Sequence, residues 1–586
     1  MEKKKVIMAL PFVALATEKG TRLKTLLAGA GIRVATLVGG RALMWQDFDV
    51  IVCTFEKANT IVNRLMDERN LSNLGLMIVD ELHMLGDAQR GKVVDAVLSK
   101  LRYAQAETRI IGMSATLDNI QDVCTWMDAF YFETDFRPVP LTESIVHGLC
   151  RYQSPLLQPE PLAAVVDSTS DPLLVLCQQA IEANGNVLVF ASTRQSCEAL
   201  AKRLGAVLHL PNGADMTAIL GQLKACKSPL TLRQQVVTGV CHHHAGLTTD
   251  ERELIELGFR SSVLRVLCAT STLSAGVNLP ARLVVIHGPT DATNKRLSST
   301  AYKQMAGRAG RYGHDSQGEA VVLVASKSEL ELARQLLGSS ASLTKATDHQ
   351  KSLERSVLDV LATHQASTRQ DLYSFAARSF GFRDTRRGEI ESVVNQHLQQ
   401  LENKGFVTLG NCSLRATTLG IAAATAALEM EVALQVKRDL DCAQQHLTLD
   451  SELHLVYLST PISSSVRINM EAWQQFHNRW SALSAPDRSV AVTVGLTEGM
   501  IVNASQGMLS HGRAREVATR FYAAMLLHQL IKDELSPSEL AWQFHIDRGA
   551  LQRLQKDASS FSGMVTVFAQ HLGMDSLAML LGQFQV

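Results

Sequence analysis

The chain has 586 residues, which at roughly 150 residues per domain makes about four domains. With 46% apolar and 19% charged residues its composition is that of an ordinary globular protein, which excludes collagen-like, low-complexity and wholly disordered classes. Lys plus Arg and Asp plus Glu both number 57, so no global basic field attracts a polyanion, and any nucleic-acid site must be a local groove. The ten cysteines include no Cys-x-x-Cys pair, so neither a disulfide framework nor a zinc ribbon is expected, and a reducing compartment is the simple reading.

In chain order, Lys3–Lys5 followed by Val6–Ala16 has the profile of a secretory signal, with small residues at Ala14-Leu15-Ala16. The rival reading is a buried parallel strand over Val6–Leu10 that ends at Pro11, and the pattern that follows favours the strand. Val50–Thr54, Leu76–Val79 and Arg109–Met113 are rich in Val and Ile, and each precedes a helix-like stretch. That alternation predicts parallel strands with crossover helices, hence a doubly wound sheet from Val6 to about Ser144. Arg151–Pro172, rich in Pro and polar residues, reads as a linker. A second alternating block follows, with strands at Val187–Phe190, Val263–Ala269, Leu283–Ile286 and Ala320–Val324.

Beyond about Ser340 the pattern turns helical. Helices are predicted at Leu353–Leu361 and from Thr368 to about Ser379, with Asp371 three residues after Thr368 as a cap. Ile390, Val393, Val394, Leu398 and Leu401 form a helical stripe. Phe406–Leu409, Gly410-Asn411 and Cys412–Ala416 read as a hairpin, which completes a winged-helix pattern. From Leu419 to Val586 the period is that of a helical bundle. No apolar run is long enough for a membrane span.

The chemistry-bearing signals lie in the two α/β blocks. Met77-Ile-Val-Asp80-Glu81-Leu82-His83 delivers two carboxylates to the carboxyl edge of a parallel sheet, where ligands bind in such folds. Phosphoryl transfer needs one carboxylate for a hydrated Mg²⁺ and another for the attacking water, and Asp80 and Glu81 fit these roles. Gln304-Met-Ala-Gly307-Arg308-Ala-Gly310-Arg311 spaces two arginines three apart, which on a helix puts both on one face, as arginine fingers require. Cys241-His242-His243-His244 invites a metal, but consecutive histidines on a strand point to opposite faces, so zinc is not expected. Trp473, Phe476 and Trp480 read as bundle core in preference to a base-stacking platform.

In their order these strings resemble the superfamily-2 helicases. Pro11–Lys19 is similar to motif Ia, Cys53–Asn59 to motif Ib, Asp80–His83 to motif II and Ser114-Ala115-Thr116 to motif III. Phe190–Arg194 is similar to motif IV, Ala269–Pro280 to motif V and Gln304–Arg311 to motif VI. Within the superfamily the likeness is strongest to the helicase-like domain of DNA polymerase theta and its relative, the polymerase-theta-like helicase. Val79–Gly86, Thr134–Pro140, Glu452–Tyr457 and Gly563–Phe568 carry that likeness across nearly the whole chain.

The resemblance implies two RecA-like doubly wound lobes (1–145 and 146–340), a winged helix (341–420) and a ratchet-type helical bundle (421–586). It implies ATP and Mg²⁺ as cofactors, with Asp80 as the metal's carboxylate. Glu81, His83, Gly276, Asn278, Gln304, Arg308 and Arg311 would face the nucleotide, and Arg311 would be the finger. Ser114 and Thr116 would couple hydrolysis to lobe movement. Pro11, Thr54, Lys57, Ser192, Arg194, Thr270 and Thr272 would touch a strand of single-stranded or partly duplex DNA, and one bundle helix would act as a ratchet, Val517–Leu530 being one candidate. The implied activity is ATP-driven translocation or unwinding in DNA repair, in the nucleus. No Gly-x-x-x-x-Gly-Lys-[Ser/Thr] string occurs in the sequence; in the family it precedes motif Ia, where this sequence begins. The polypeptide as written is therefore expected to hydrolyse ATP poorly. A non-enzymatic DNA-binding scaffold and an RNA helicase of the same superfamily are the alternatives.

Overall fold

Strands rich in Val and Ile that are buried on both faces can pair in parallel only if each connection crosses over the sheet. The first sheet does this with β1 (Lys5–Leu10), β2 (Val34–Leu37), β3 (Val50–Thr54), β4 (Leu74–Val79) and β5 (Arg109–Gly112), ordered β2-β3-β1-β4-β5 and parallel throughout. The segment with the signal-like profile is its central strand, with Ile7, Met8, Ala9 and Leu10 buried. The structure is a computed structural model. It describes residues 4–38, 45–87, 89–104, 107–115, 117, 119–134, 136–154, 158–162, 171–208, 215–273, 279–338, 353–410, 413–448, 450–463, 466, 468, 470–508, 512–532 and 536–583. Among these residues no single helix is long and apolar enough to cross a membrane.

The second sheet contains β6 (Leu141–His147), β7 (Cys150–Gln153), β8 (Pro159–Pro161), β9 (Val187–Ala191), β10 (Val240–His243), β11 (Val266–Thr270), β12 (Leu283–His287) and β13 (Gly318–Val324). Their order is β10-β11-β9-β12-β13-β6-β7-β8, with β7 and β8 added antiparallel at one edge. Two sequence expectations are corrected here. The boundary at 145/146 cuts β6, which pairs in parallel with β13 from Leu141↔Gly318 to His147↔Val324 and so belongs to the second lobe. Local alternation cannot reveal this, because the partner strand lies far along the chain. The expected linker Arg151–Pro172 also contributes β7 and β8, reached by a turn at Gly148, whose φ of 58° favours glycine. Residues 155–157 and 163–170 of that segment lie outside the described residues.

The chain divides into two units: residues 1–115, 121–129 and 343–586 in one, 116–120 and 130–342 in the other. In the first unit the winged helix consists of helices Leu353–Ala362, Arg369–Ala376 and Arg387–Asn403 with the antiparallel hairpin β14 (Val407–Leu409) and β15 (Leu414–Ala416). Thr368 and Asp371 form the expected capping box, while Asn411 and Cys412 of the expected turn lie outside the described residues. Its core of Leu358, Phe375, Val394, Leu398 and Phe406 runs on into Val565 and Phe568 of the bundle helix Arg548–His571, so the 420/421 boundary crosses one continuous core. A second bundle core holds Trp473, Phe476 and Trp480 with Phe521, Tyr522 and Phe544; the aromatic stripe is interior, as read.

Two buried carboxylates fasten the first lobe to the winged helix. Lys100, from helix Gly91–Tyr103, donates to Asp359 at 2.6 Å, to Asn59 Oδ1 at 2.7 Å and to Asn63 Oδ1 at 2.6 Å. Arg355 adds a second cation to Asp359 at 2.9 Å. From the lobe's side, Asp95 accepts from the hydroxyls of Ser99 and Ser379, both at 2.8 Å, and from the Phe380 N–H at 2.9 Å. Trp126 Nε1 donates to the Arg378 carbonyl at 2.7 Å. None of these pairings left a signal in the sequence.

Candidate active site and nucleic-acid interface

The β4 ladder continues one residue past the strand, where the Asp80 N–H donates to Ala9 O at 3.0 Å. The chain then turns sharply. Glu81 takes φ 53°, a left-handed conformation that costs a non-glycine residue energy, and its N–H donates to Asp80 Oδ1 at 3.0 Å. A turn of 3-10 helix, Leu82–Gly86, follows and buries His83. The Leu82 N–H donates to Met113 O at 2.7 Å and the Met113 N–H to Val79 O at 2.8 Å, so motifs II and III are laced through backbone.

His83 adds a side-chain link, because its Nδ1 accepts the Ala115 N–H at 3.3 Å and lies 3.3 Å from Glu81 Oε2. Burial lowers the His83 pKa, against a smaller opposing pull from Asp80, which favours the neutral ring. A neutral ring accepting at Nδ1 cannot also donate there, so the Glu81 contact is not an ion pair. Ser114 is exposed and its hydroxyl donates to Ala115 O at 2.7 Å. Thr116 lies outside the described residues. The carboxylates of Asp80 and Glu81 are hard oxygen donors at a sheet's carboxyl edge, which fits a hydrated Mg²⁺.

The motif Ia and Ib residues are more enclosed than expected. Pro11 is buried at the end of β1, and Thr54 is buried, its hydroxyl capping helix Phe55–Asp67 at the Lys57 N–H. Lys57 is half-buried, and burial lowers its pKa. Arg90 lies 4.3 Å from the centre of the Phe12 ring and ties the two motifs with Glu56, 3.9 Å away.

In the second unit, Ser192 is half-buried and Arg194 exposed at the start of helix Arg194–Val207, and Thr270 is buried at the end of β11. Gly276 and Asn278 lie outside the described residues, as does the Thr272 side chain. Gln304 is half-buried on helix Ser299–Ala306, and Arg308 is half-buried beyond it. The two arginines do not share a helix face, which corrects the sequence reading. The helix ends at Ala306, and Gly310 at φ 93° turns the chain so that its N–H donates to Ala281 O at 2.7 Å. Arg311 is held by Asp315, at 2.9 Å from both Nε and Nη2, and it also donates to Asn184 O at 3.3 Å.

The histidine run splits as expected, with one addition. His243 faces Glu256 at 2.9 Å, while His242 and His244 stack on the other face, ring centres 4.9 Å apart. Their ligand atoms and one from Glu198 lie within 4.8 Å of one another. His244 Nδ1 accepts the Gly246 N–H at 3.0 Å, so the proton sits on Nε2, which donates to Glu198 at 2.8 Å. In the structure the three side chains form a hydrogen-bonded set. Burial, with smaller contributions from His244 and His243, pushes His242 down to about 3. Because its folded value lies below that of the unfolded chain, its stability contribution is full above about pH 6.5 and is lost as the pH falls. From pH 7 to pH 5 the second unit is expected to lose about 2 kcal/mol through this ring. Urea titrations should show a shallower pH dependence in His242→Gln; an identical slope would refute the assignment.

The expected ratchet segment Val517–Leu530 falls within helix Arg513–Ile531, whose residues Arg520–His528 are all buried. Arg513, Arg515 and Glu516 at its start are exposed, while the stretch from Arg520 packs into the bundle core. Helix Arg548–His571 instead buries Leu551, Leu554, Ala558 and Val565 and leaves Gln555, Lys556 and Asp557 exposed.

Four family models match the chain: DEAD/DEAH box helicase over residues 1–123, helicase conserved C-terminal domain over 171–313, helix-turn-helix domain over 318–408, and the DNA pol Q helicase-like region helical domain over 431–586. The chain is 35% identical to DNA polymerase theta of Mus musculus, over all of this chain and 25% of that protein. It is 30% identical to Helicase POLQ-like of Homo sapiens, over 97% of this chain and 55% of that protein. It is also 30% identical to the ATP-dependent DNA helicase Hel308 of Thermoplasma volcanium, over 77% of this chain and 66% of that protein. The chain spans only 25% to 37% of the length of the polymerase theta relatives. The motif order, the two parallel sheets with a winged helix and a helical bundle, and these likenesses make the chain a member of the superfamily-2 helicases, most like the helicase region of DNA polymerase theta.

Proposed function

We propose that the chain is the motor region of an ATP-dependent DNA helicase or translocase that acts in DNA repair in the nucleus, on single-stranded or partly duplex DNA. The observation that carries this reading is the union of Asp80, Glu81 and His83 with the end of β5. Two carboxylates stand at a sheet edge, beside a buried imidazole that accepts the Ala115 N–H. Asp80 would hold Mg²⁺ through water, and Glu81 would orient the attacking water. When bound, the metal would neutralise phosphate charge. Arg308 and Arg311 would serve the nucleotide, with Arg311 as the finger once its guanidinium leaves Asp315. Ser114 and Thr116 would pass the change at the nucleotide to the DNA-binding side.

Backbone phosphates would be met by Thr54, Lys57, Ser192, Arg194, Thr270 and Thr272, contacts that carry no base code. The exposed face of helix Arg548–His571 is the bundle surface that best fits a passing strand. The exposed carboxylate of Asp557 on that face would keep such contact weak and suited to sliding.

DNA-stimulated ATP turnover by the 586-residue chain and its Glu81→Gln variant tests the reading. Turnover is expected to be slow, because a phosphate-loop lysine is not among these residues, and to fall by about 100-fold or more in the variant. Turnover that DNA does not stimulate, or that the substitution leaves intact, would overturn the proposal.

A further inference from the structure

We propose that Arg137 is a positioning residue that straps the backbone of the loop carrying Arg308. The inference rests on the reading of Arg308 as a nucleotide-facing arginine. Arg137 Nη2 donates to Ala309 O at 2.8 Å and to Gly307 O at 3.4 Å, the two carbonyls that flank Arg308. Its Nε donates to Val139 O at 2.9 Å, so one edge of the planar guanidinium serves both its own segment and the loop. Burial lowers the Arg137 pKa, yet a guanidinium stays charged, and each bond is therefore charge-assisted.

The segment after Arg137 completes the strap. Pro140 O accepts the Gly318 N–H at 2.8 Å. Val139 is buried against Gly310, where an added Cβ would lie 2.7 Å from Val139 Cγ1. From the other side, the Ala281 N–H donates to Arg308 O at 2.9 Å, forming with Gly310 an isolated parallel bridge. All of these bonds go to backbone, so the strap fixes where the Arg308 Cα stands. The Arg311–Asp315 pair closes the far end of the same turn. A loop beyond a helix end would otherwise sample many conformers, and a misplacement of about 1 Å at a reacting centre costs up to about 100-fold in rate.

Hydrogen exchange across residues 304–313 of the full chain reads the strap directly. Arg137→Gln is expected to speed exchange there by roughly tenfold, since two charge-assisted bonds are lost. Arg137→Lys, a single point donor, should fall between Gln and wild type. Steady-state turnover should then show kcat reduced by roughly 10- to 100-fold in Arg137→Gln, with KM for ATP within about twofold and part of the rate recovered by Lys. Unchanged exchange in Arg137→Gln would overturn the proposal, as would a loss confined to KM or equal losses for Gln and Lys. If the wild-type chain turns over no ATP, the motor reading fails, while the exchange measurement still decides the strap.

Discussion

Replacing Lys100 by Met is expected to destabilise the seam between the first lobe and the winged helix by about 3–5 kcal/mol, the usual cost of breaking a buried ion pair from one side. The Lys100 and Asp359 side chains are 0% and 1% exposed, so water cannot take the place of a lost partner. Met would leave Asp359 with Arg355 and the Asn59 amide and would orphan the Asn59 and Asn63 oxygens. Asp359→Leu should cost as much by stranding a buried ammonium. Its deficit should shrink as the pH rises from 7 to 9, because a Lys whose folded pKa is depressed releases its proton more readily when folded than when unfolded. The double variant Lys100→Met/Asp359→Leu should cost less than the sum of the two, since neither member of the pair is left behind and Arg355 keeps the Leu428 and Ala424 carbonyls. Amide exchange in helices Gly91–Tyr103 and Leu353–Ala362 measures all three. Single losses below about 1 kcal/mol would mean that the pair does not hold the seam.

Arg520→Ala should have a comparable effect on the bundle, about 3–5 kcal/mol, and should act on stability before it acts on DNA. Arg520 is 3% exposed; it donates to Asp439 at 2.5 Å and to Thr460 O at 2.9 Å, and its guanidinium lies 4.3 Å from the centre of the Tyr457 ring. Its removal would take the cation from the half-buried Asp439 carboxylate, which keeps the Gln435 amide, and would free carbonyls at the end of helix Leu453–Ser459. A DNA-riding role for Val517–Leu530 predicts the reverse: weakened strand binding at unchanged stability. Thermal unfolding and fluorescence anisotropy on a labelled single strand, run on the same variant, separate the two. Lys556→Ala, on the exposed face of helix Arg548–His571, is the matching surface substitution, and its stability change should stay within about 0.5 kcal/mol.

Much of the architecture was legible in the sequence because it rests on local periodicity. Val50–Thr54 and Leu283–Ile286 could be read as buried parallel strands, and the Thr368–Asp371 cap needed only its own spacing. The Asp80–Glu81 pair was legible for the same reason: a strand end fixes where its next residues stand. The arginine pair was only half legible. Three-residue spacing says helix face, but the helix ends at Ala306, and the Ala281 bridge and Gly310 turn the chain between Arg308 and Arg311.

What the sequence by itself determined was the kind of elements and the chemistry at their ends: two α/β lobes, a winged helix, a bundle, and paired carboxylates after a strand. Only the tertiary structure decided which sheet owns Leu141–His147, that Lys100 meets Asp359, that Arg311 is held by Asp315, and that Arg137 grips the carbonyls beside Arg308. The physical reason is range. Hydrophobic period and capping act over a few residues, whereas the partner of a buried charge or an edge strand is set by which surfaces meet when the chain closes, and that can lie hundreds of residues away.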